Sequence, residues 1–148
     1  MTIVVTAAVI ERDGRLLVTR RQKGTHLEGL WEFPGGKSHR GEPLQACLAR
    51  ELREELGVDS EVGAEIFVTT HRYSEPSCER DVELHFFESH LLGDPLPQLG
   101  QEMRWVPRDA LGTLAFPPAD ATFIAQLTAD AGISSRDRSD ERERSHFG

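Results

Sequence analysis

Glu51, Glu54 and Glu55 stand at positions i, i+3 and i+4 of a stretch whose leucines recur every fourth residue. On a helix that spacing turns all three carboxylates to one side. Oxygen ligands with no Cys or His among them suit a hard cation, Mg2+ or Mn2+, better than zinc. The alternative is a solvated face laced by i,i+4 ion pairs such as Arg50–Glu54. At ~100° per residue, Leu44, Leu48, Leu52 and Leu56 form one stripe, and Glu51 and Glu55 project within roughly 20° of Leu44. Carboxylates aimed inward are costly unless paired or bound to metal, so the projection favours a metal site. Gly35-Gly36, just upstream, lets a backbone carbonyl approach the same ion.

These carboxylates need a scaffold. Pro43 suits the first turn of their helix, whose start falls at Gly41-Glu42-Pro43, and Gly57 is a left-handed cap at its end. Ile3 to Ile10 is a β-branched, apolar run and Leu16 to Thr19 resumes extended chain, with Asp13-Gly14 as the tip of a hairpin. Residues 24–41, rich in glycine, read as an irregular loop. Strands are expected at 61–71 and 82–91, joined by a polar loop through Ser74-Glu75-Pro76-Ser77. A short strand is expected at Trp105-Val106 and a second helix from Pro118 to Thr128. Residues 1–132 then form one domain. The tail, 133–148, holds mostly charge from Arg136 to His146, and burial cannot offset the entropy of ordering it.

The chain of 148 residues is 38% hydrophobic and carries a formal charge of −8, which is the composition of a single soluble domain. That charge argues against a nucleic-acid polymer as partner. A small phosphate ester remains open, because a divalent cation can bridge acidic protein and acidic ligand. No apolar run approaches the roughly 18 residues of a membrane span, so no membrane partner is expected. Two cysteines, Cys47 and Cys78, form no CxxC pair, and a reduced, cytoplasmic setting follows. Cys47, within the helical pattern, reads as core filler. Nothing in the residues chooses between a monomer and a homodimer.

Gly36, five residues, Glu42, seven residues, and then Arg50-Glu51-Leu52-Arg53-Glu54-Glu55-Leu56-Gly57-Val58 resembles the Nudix box of the Nudix hydrolases at every defining position. Thr19-Arg20-Arg21, His26, Leu30 to Lys37, Arg80 and Phe116-Pro117-Pro118-Ala119 extend the likeness to the MutT-type nucleoside triphosphate pyrophosphohydrolases. The resemblance implies the Nudix fold of the α/β class, an α/β/α sandwich around a mixed sheet with the box as loop–helix–loop. It implies that Glu51, Glu54, Glu55 and the Gly35 carbonyl bind Mg2+. Glu51 would also orient or deprotonate the attacking water. Arg50 would hold the carboxylates in place, with Glu42 as a structural partner at the helix start. Arg21 and His26 would contact phosphate. Many relatives carry another glutamate where this chain has Leu99; Glu102 either pairs on the surface or approaches the metals instead.

At the substrate end, Phe33 is the candidate surface for a base, with a core role as the alternative. Arg80 is a candidate for base or sugar, or an exposed strand-end charge. Asp120 follows Phe116 to Ala119, where the guanine-sanitising relatives typically have asparagine. An ionised aspartate only accepts hydrogen bonds, which suits a cytosine amine or the N–H groups of an oxidised guanine; an N-cap is the structural alternative. The expected activity is hydrolysis of a small-molecule nucleotide to nucleoside monophosphate and pyrophosphate, with 8-oxo-dGTP ahead of CTP or a modified dCTP. A non-catalytic nucleotide sensor and an ADP-ribose hydrolase are the readings from other classes.

Overall fold

In a computed structural model, residues 2–75 and 78–129 are described. The strands are β1 (Thr2–Arg12), β2 (Arg15–Arg20), β3 (Trp31–Glu32), β4 (Gly35–Lys37), β5 (Ser60–Glu75), β6 (Cys78–Leu91) and β7 (Met103–Pro107). Helix α1 spans Leu44–Leu56, and α2 covers 121–129. Short 3-10 turns at Arg108–Thr113 and Pro118–Asp120 precede α2. The expected tail lies outside the described residues, as do Pro76 and Ser77.

β1 is the axis of the mixed sheet. It runs parallel to β6 from Thr2↔Asp81 to Ile10↔Ser89 and antiparallel to β2 and β4, while β5 pairs with β6 along nearly its whole length. Because both faces of β1 are covered, its apolar run is nearly continuous instead of alternating. Ala8 and Ile10 face α1, joining Leu17, Leu48, Leu52, Leu56 and Phe87. Ala7 and Val9 face the other way, toward Phe86, Phe123 and Leu127. Two core layers around one sheet make the α/β/α sandwich.

The leucine stripe of α1 is where it was expected: Cys47, Leu48, Leu52 and Leu56 have no exposed surface. Burying each leucine is worth about 1.5–3 kcal/mol. Gly57, left-handed at φ 68°, closes the helix with its N–H on the Arg53 carbonyl. The loop that follows β6 covers the same end, since the Leu96 N–H donates to the Leu56 carbonyl and that of Gln98 to Glu55.

Three local expectations change. β5 and β6 run further than 61–71 and 82–91, taking Ser74 and Glu75 into strand. Their polar ends stay extended because charges pair across the ladder, as in Arg72 Nε to Asp81 Oδ1 at 2.8 Å. The glycine-rich segment is not wholly irregular, since β3 and β4 use it to pair with β2 and β1. The second helix begins after Asp120, with the Pro118–Asp120 turn leading into it. Among the described residues, no helix is long and apolar enough to cross a membrane.

Candidate active site

A cavity of about 410 Å³ opens on the face of the sheet opposite α1's leucines, within the range of small-ligand sites. Its floor is the parallel β1–β6 seam: Ile3, Val5, Ala7, Val82 and Leu84. Gly35, Gly36, Glu51 and Glu55 line one end. Pro117, Ala119 and Asp120 line the cavity too, as do Arg21, His26 and Glu32 from the β2–β3 segment. Tyr73 and Arg80, paired across β5 and β6, also reach it. Arg21, His26, Phe33, Gly35, Glu51, Glu55, Arg80 and Asp120, all singled out in the sequence, thus share one wall system, although they come from positions 21 to 120.

Close backbone packing sets the carboxylate end. A Cβ on Gly35 would lie 2.0 Å from the Thr6 carbonyl oxygen, and one on Gly36 would lie 2.4 Å from the Glu51 carboxyl carbon. Only glycine lets β4 approach β1 and Glu51 this closely. The Gly35 N–H meets the Glu55 carboxylate, yet Glu55 Oε2 is buried and has no hydrogen-bond partner among the described residues. Burial first, then the charges of Glu32 and Glu51, push Glu55 up to about 8. Glu51 is also raised by burial, against the pull of Arg50. A buried, orphaned carboxylate oxygen beside a second carboxylate and a glycine backbone fits a hard divalent cation. No three His, Cys, Asp or Glu side chains among the described residues converge to enclose an ion by themselves. Mg2+ seldom asks for that, since it usually takes one or two carboxylates and completes its shell with phosphate oxygens and water.

Arg50 organises this end from outside the cavity. Its Nε and Nη2 donate to the two oxygens of Glu42 at 2.9 and 3.1 Å, and Nη1 donates to Glu51 Oε1 at 2.8 Å. Such a planar fork suits carboxylates. Hydrogen bonds from Arg50 and from the His39 N–H hold Glu42 down at about 2, so this brace stays charged. Glu54 departs from the expected cluster. It is 60% exposed, 3.4 Å from Arg50, and does not line the cavity; the i,i+4 pairing first set aside as the alternative is what this one glutamate does.

At the other end Asp120 is 5% exposed, and burial with the charge of Glu32 pushes its carboxyl up to about 7. Its side chain makes no hydrogen bond among the described residues, so the capping alternative is not realised and the group faces the cavity. Arg80 Nε is likewise buried and unpartnered among the described residues. Phe33, 3% exposed, lies against Phe116 with centroids 5.6 Å apart and 30° between planes, and meets the edges of Phe86 and Phe123. It is chiefly a core residue, with only residual surface on the cavity. Glu102 pairs with Arg20 and Arg104 at 3.3 and 3.1 Å, and Leu99 is 57% exposed; neither lines the cavity.

Tyr73 and Glu32 are among the lining residues with no role assigned from the sequence. Tyr73 is the single tyrosine of the chain and sits edge-on to His26 at 5.6 Å; an aromatic inside a polar strand end was the available signal. Glu32 pairs with Arg21 at 3.0 Å; it lay inside the Leu30 to Lys37 run, and only its partner eleven residues away marks it as more than a surface charge.

Comparison with known proteins agrees with this geometry. The model of the NUDIX domain matches residues 5–126. A CTP pyrophosphohydrolase of Escherichia coli is 47% identical over 70 residues, a match spanning 47% of this chain and half the length of that relative. An 8-oxo-dGTP diphosphatase of Haemophilus influenzae is 34% identical over 84% of this chain and 90% of its own length. The crystal structure of a MutT NUDIX hydrolase from Burkholderia pseudomallei superposes with a TM-score of 0.73 at 27% identity, over 86% of this chain and 99% of that one. Nudix hydrolases generally need a divalent metal, as the donor set here would suggest. With the box on α1 and its Glu51 and Glu55 lining the cavity, the chain belongs to the Nudix family of nucleotide hydrolases.

Proposed function

We propose that this chain is an Mg2+-dependent nucleoside triphosphate pyrophosphohydrolase whose preferred substrate is 8-oxo-dGTP. One observation carries the proposal: a single cavity joins a carboxylate-lined end at Glu51 and Glu55 to a buried, hydrogen-bond-capable carboxyl at Asp120. A nucleoside triphosphate is a ligand whose two ends need those two chemistries.

When bound, Mg2+ (or Mn2+) neutralises phosphate oxygens and makes a water more acidic. Glu55 Oε2 and the Gly35 carbonyl would hold it, together with Glu51. Arg50 occupies Glu51 Oε1, leaving Oε2 to take the proton of the attacking water. The water oxygen bonds to the β-phosphorus as the α–β bridging bond breaks, releasing nucleoside monophosphate and pyrophosphate. Arg21 and His26 steady the phosphates. Arg80 brings an unspent donor toward sugar or base.

Asp120 favours the oxidised purine. A carboxyl lifted to about 7 is substantially protonated near neutrality, and the neutral acid both donates and accepts. It can thus do what asparagine does in the guanine-sanitising relatives. Its ionised form only accepts, which suits the N4 amine of cytosine; this and the CTP pyrophosphohydrolase relative make CTP or a modified dCTP the second reading.

Pyrophosphate release from 8-oxo-dGTP, dGTP, CTP and a modified dCTP, with ADP-ribose as the diphosphate control, ranks these readings. 8-oxo-dGTP is expected to give the highest kcat/KM, and Glu51→Gln to lose about 10²–10⁴-fold in rate. A higher value for CTP would give the second reading its place. Tight binding without turnover would leave a sensor.

A further inference from the structure

Arg21 is held before any ligand arrives. Its Nε donates to the His26 carbonyl at 2.5 Å and its Nη1 to Glu32 Oε2 at 3.0 Å. A guanidinium has five N–H donors in a rigid fork, so Nη2 and the second Nη1 hydrogen stay available to a ligand. The loop that carries it is closed on itself, with the Arg21 N–H on the Leu30 carbonyl and the Gly29 N–H on the Arg21 carbonyl. Glu32 is fixed from the other side by β3, where it pairs with Thr19 of β2. It occupies the middle of the cavity's electrostatics, because its charge acts on Glu55 at one end and on Asp120 at the other.

A carboxylate there is paradoxical for a protein that takes a polyanion. Bare electrostatics says that removing it should tighten phosphate binding. The geometry says the opposite. Without Glu32, Arg21 keeps one anchor and regains rotamer freedom, which must be lost again on binding.

We propose that Glu32 is a positioning residue, which aims the Arg21 guanidinium at the phosphate chain and so contributes to affinity despite its own negative charge. The inference rests on the reading of Arg21 as a phosphate contact. It does not depend on which base is bound.

The two effects have opposite signs, so one measurement separates them. The full chain, wild type and as Glu32→Gln, Arg21→Ala and the double variant, is titrated with inorganic tripolyphosphate and Mg2+ in a calorimeter. Glu32→Gln is expected to weaken binding about tenfold, the scale of one charge-assisted hydrogen bond, and to add almost nothing on top of Arg21→Ala. With 8-oxo-dGTP the same change should raise KM with kcat nearly unchanged, and Glu32→Asp should recover part of the loss. Unchanged or tighter tripolyphosphate binding by Glu32→Gln would overturn the proposal, as would an undiminished effect in the Arg21→Ala background. Should the wild type hydrolyse no nucleotide while the tripolyphosphate cycle still shows this coupling, the substrate reading fails and the positioning role stands.

Discussion

Adjacent glycines should fail in different ways. In Gly36→Ala the new Cβ would lie 2.4 Å from the Glu51 carboxyl carbon and 2.6 and 2.8 Å from its oxygens. An ordinary contact is 3.4 Å or more, so the carboxylate must retreat by about 1 Å (3.4 less 2.4). Glu51 is the end of a flexible side chain and can do so, but only by leaving its 2.8 Å bond to Arg50 and the place proposed for it at the attacking water. A displacement of about 1 Å in a catalytic group costs on the order of 10²-fold in rate, or about 2.7 kcal/mol of transition-state stabilisation. The fold is nearly untouched, so Tm should move by about 4 °C at most, equivalent to about 1 kcal/mol in a domain of this size. In Gly35→Ala the obstacle is the Thr6 carbonyl oxygen at 2.0 Å, which is sheet backbone and cannot retreat. The β1–β4 pairing of Ala7 with Gly35 would open, at a cost of about 3 kcal/mol or more. Thermal melts and pyrophosphate-release kinetics on both variants test the contrast. A Gly36→Ala enzyme within about threefold of wild-type kcat, or a Gly35→Ala protein as stable as wild type, would refute the account of how β4 and Glu51 meet.

Two further predictions concern charge. Glu55 has its folded pKa raised to about 8, so the metal-free protein binds the extra proton when folded; the associated stability is complete below the unfolded carboxylate value and is lost as pH rises toward 8. Melts without divalent metal should therefore weaken across that window, and Mg2+ should raise Tm more at pH 8 than at pH 6; equal Mg2+ effects at both would count against Glu55 as a ligand. Glu102→Gln should leave kcat/KM unchanged and stability within about 1 kcal/mol, because its partners Arg20 and Arg104 form an exposed pair; a large rate loss would bring Glu102 back to the metals.

What could be read from the residues alone was what local geometry controls. The four-residue spacing of Leu44 to Leu56 set the buried stripe of α1, and the same arithmetic turned Glu51 and Glu55 inward. Asp13-Gly14 turned the first hairpin, with both residues at positive φ, and Gly57 ended the helix. Each of these depends on a few consecutive dihedrals, so a short window of sequence holds all the information. The same spacing could not tell that Glu54 would lie exposed beside Arg50, because a wheel gives a direction and not a partner.

The remaining decisions lie in contacts that no window spans. The charge of Glu32 reaches Asp120 because β3 and the turn before α2 line the same cavity. That arrangement also decides that Phe33 packs among Phe86, Phe116 and Phe123, that Tyr73 and Arg80 line one wall, and that Glu102 stays with Arg20 on the surface. It also sets protonation, since burial is a property of the whole fold and it is burial that raises Asp120 and Glu55. The sequence by itself determined that a carboxylate helix of the Nudix kind would be built. Only the parallel pairing of two strands about 79 residues apart, Thr2 with Asp81, decided which side chains that helix would face, because side chains that distant meet only when the chain has folded.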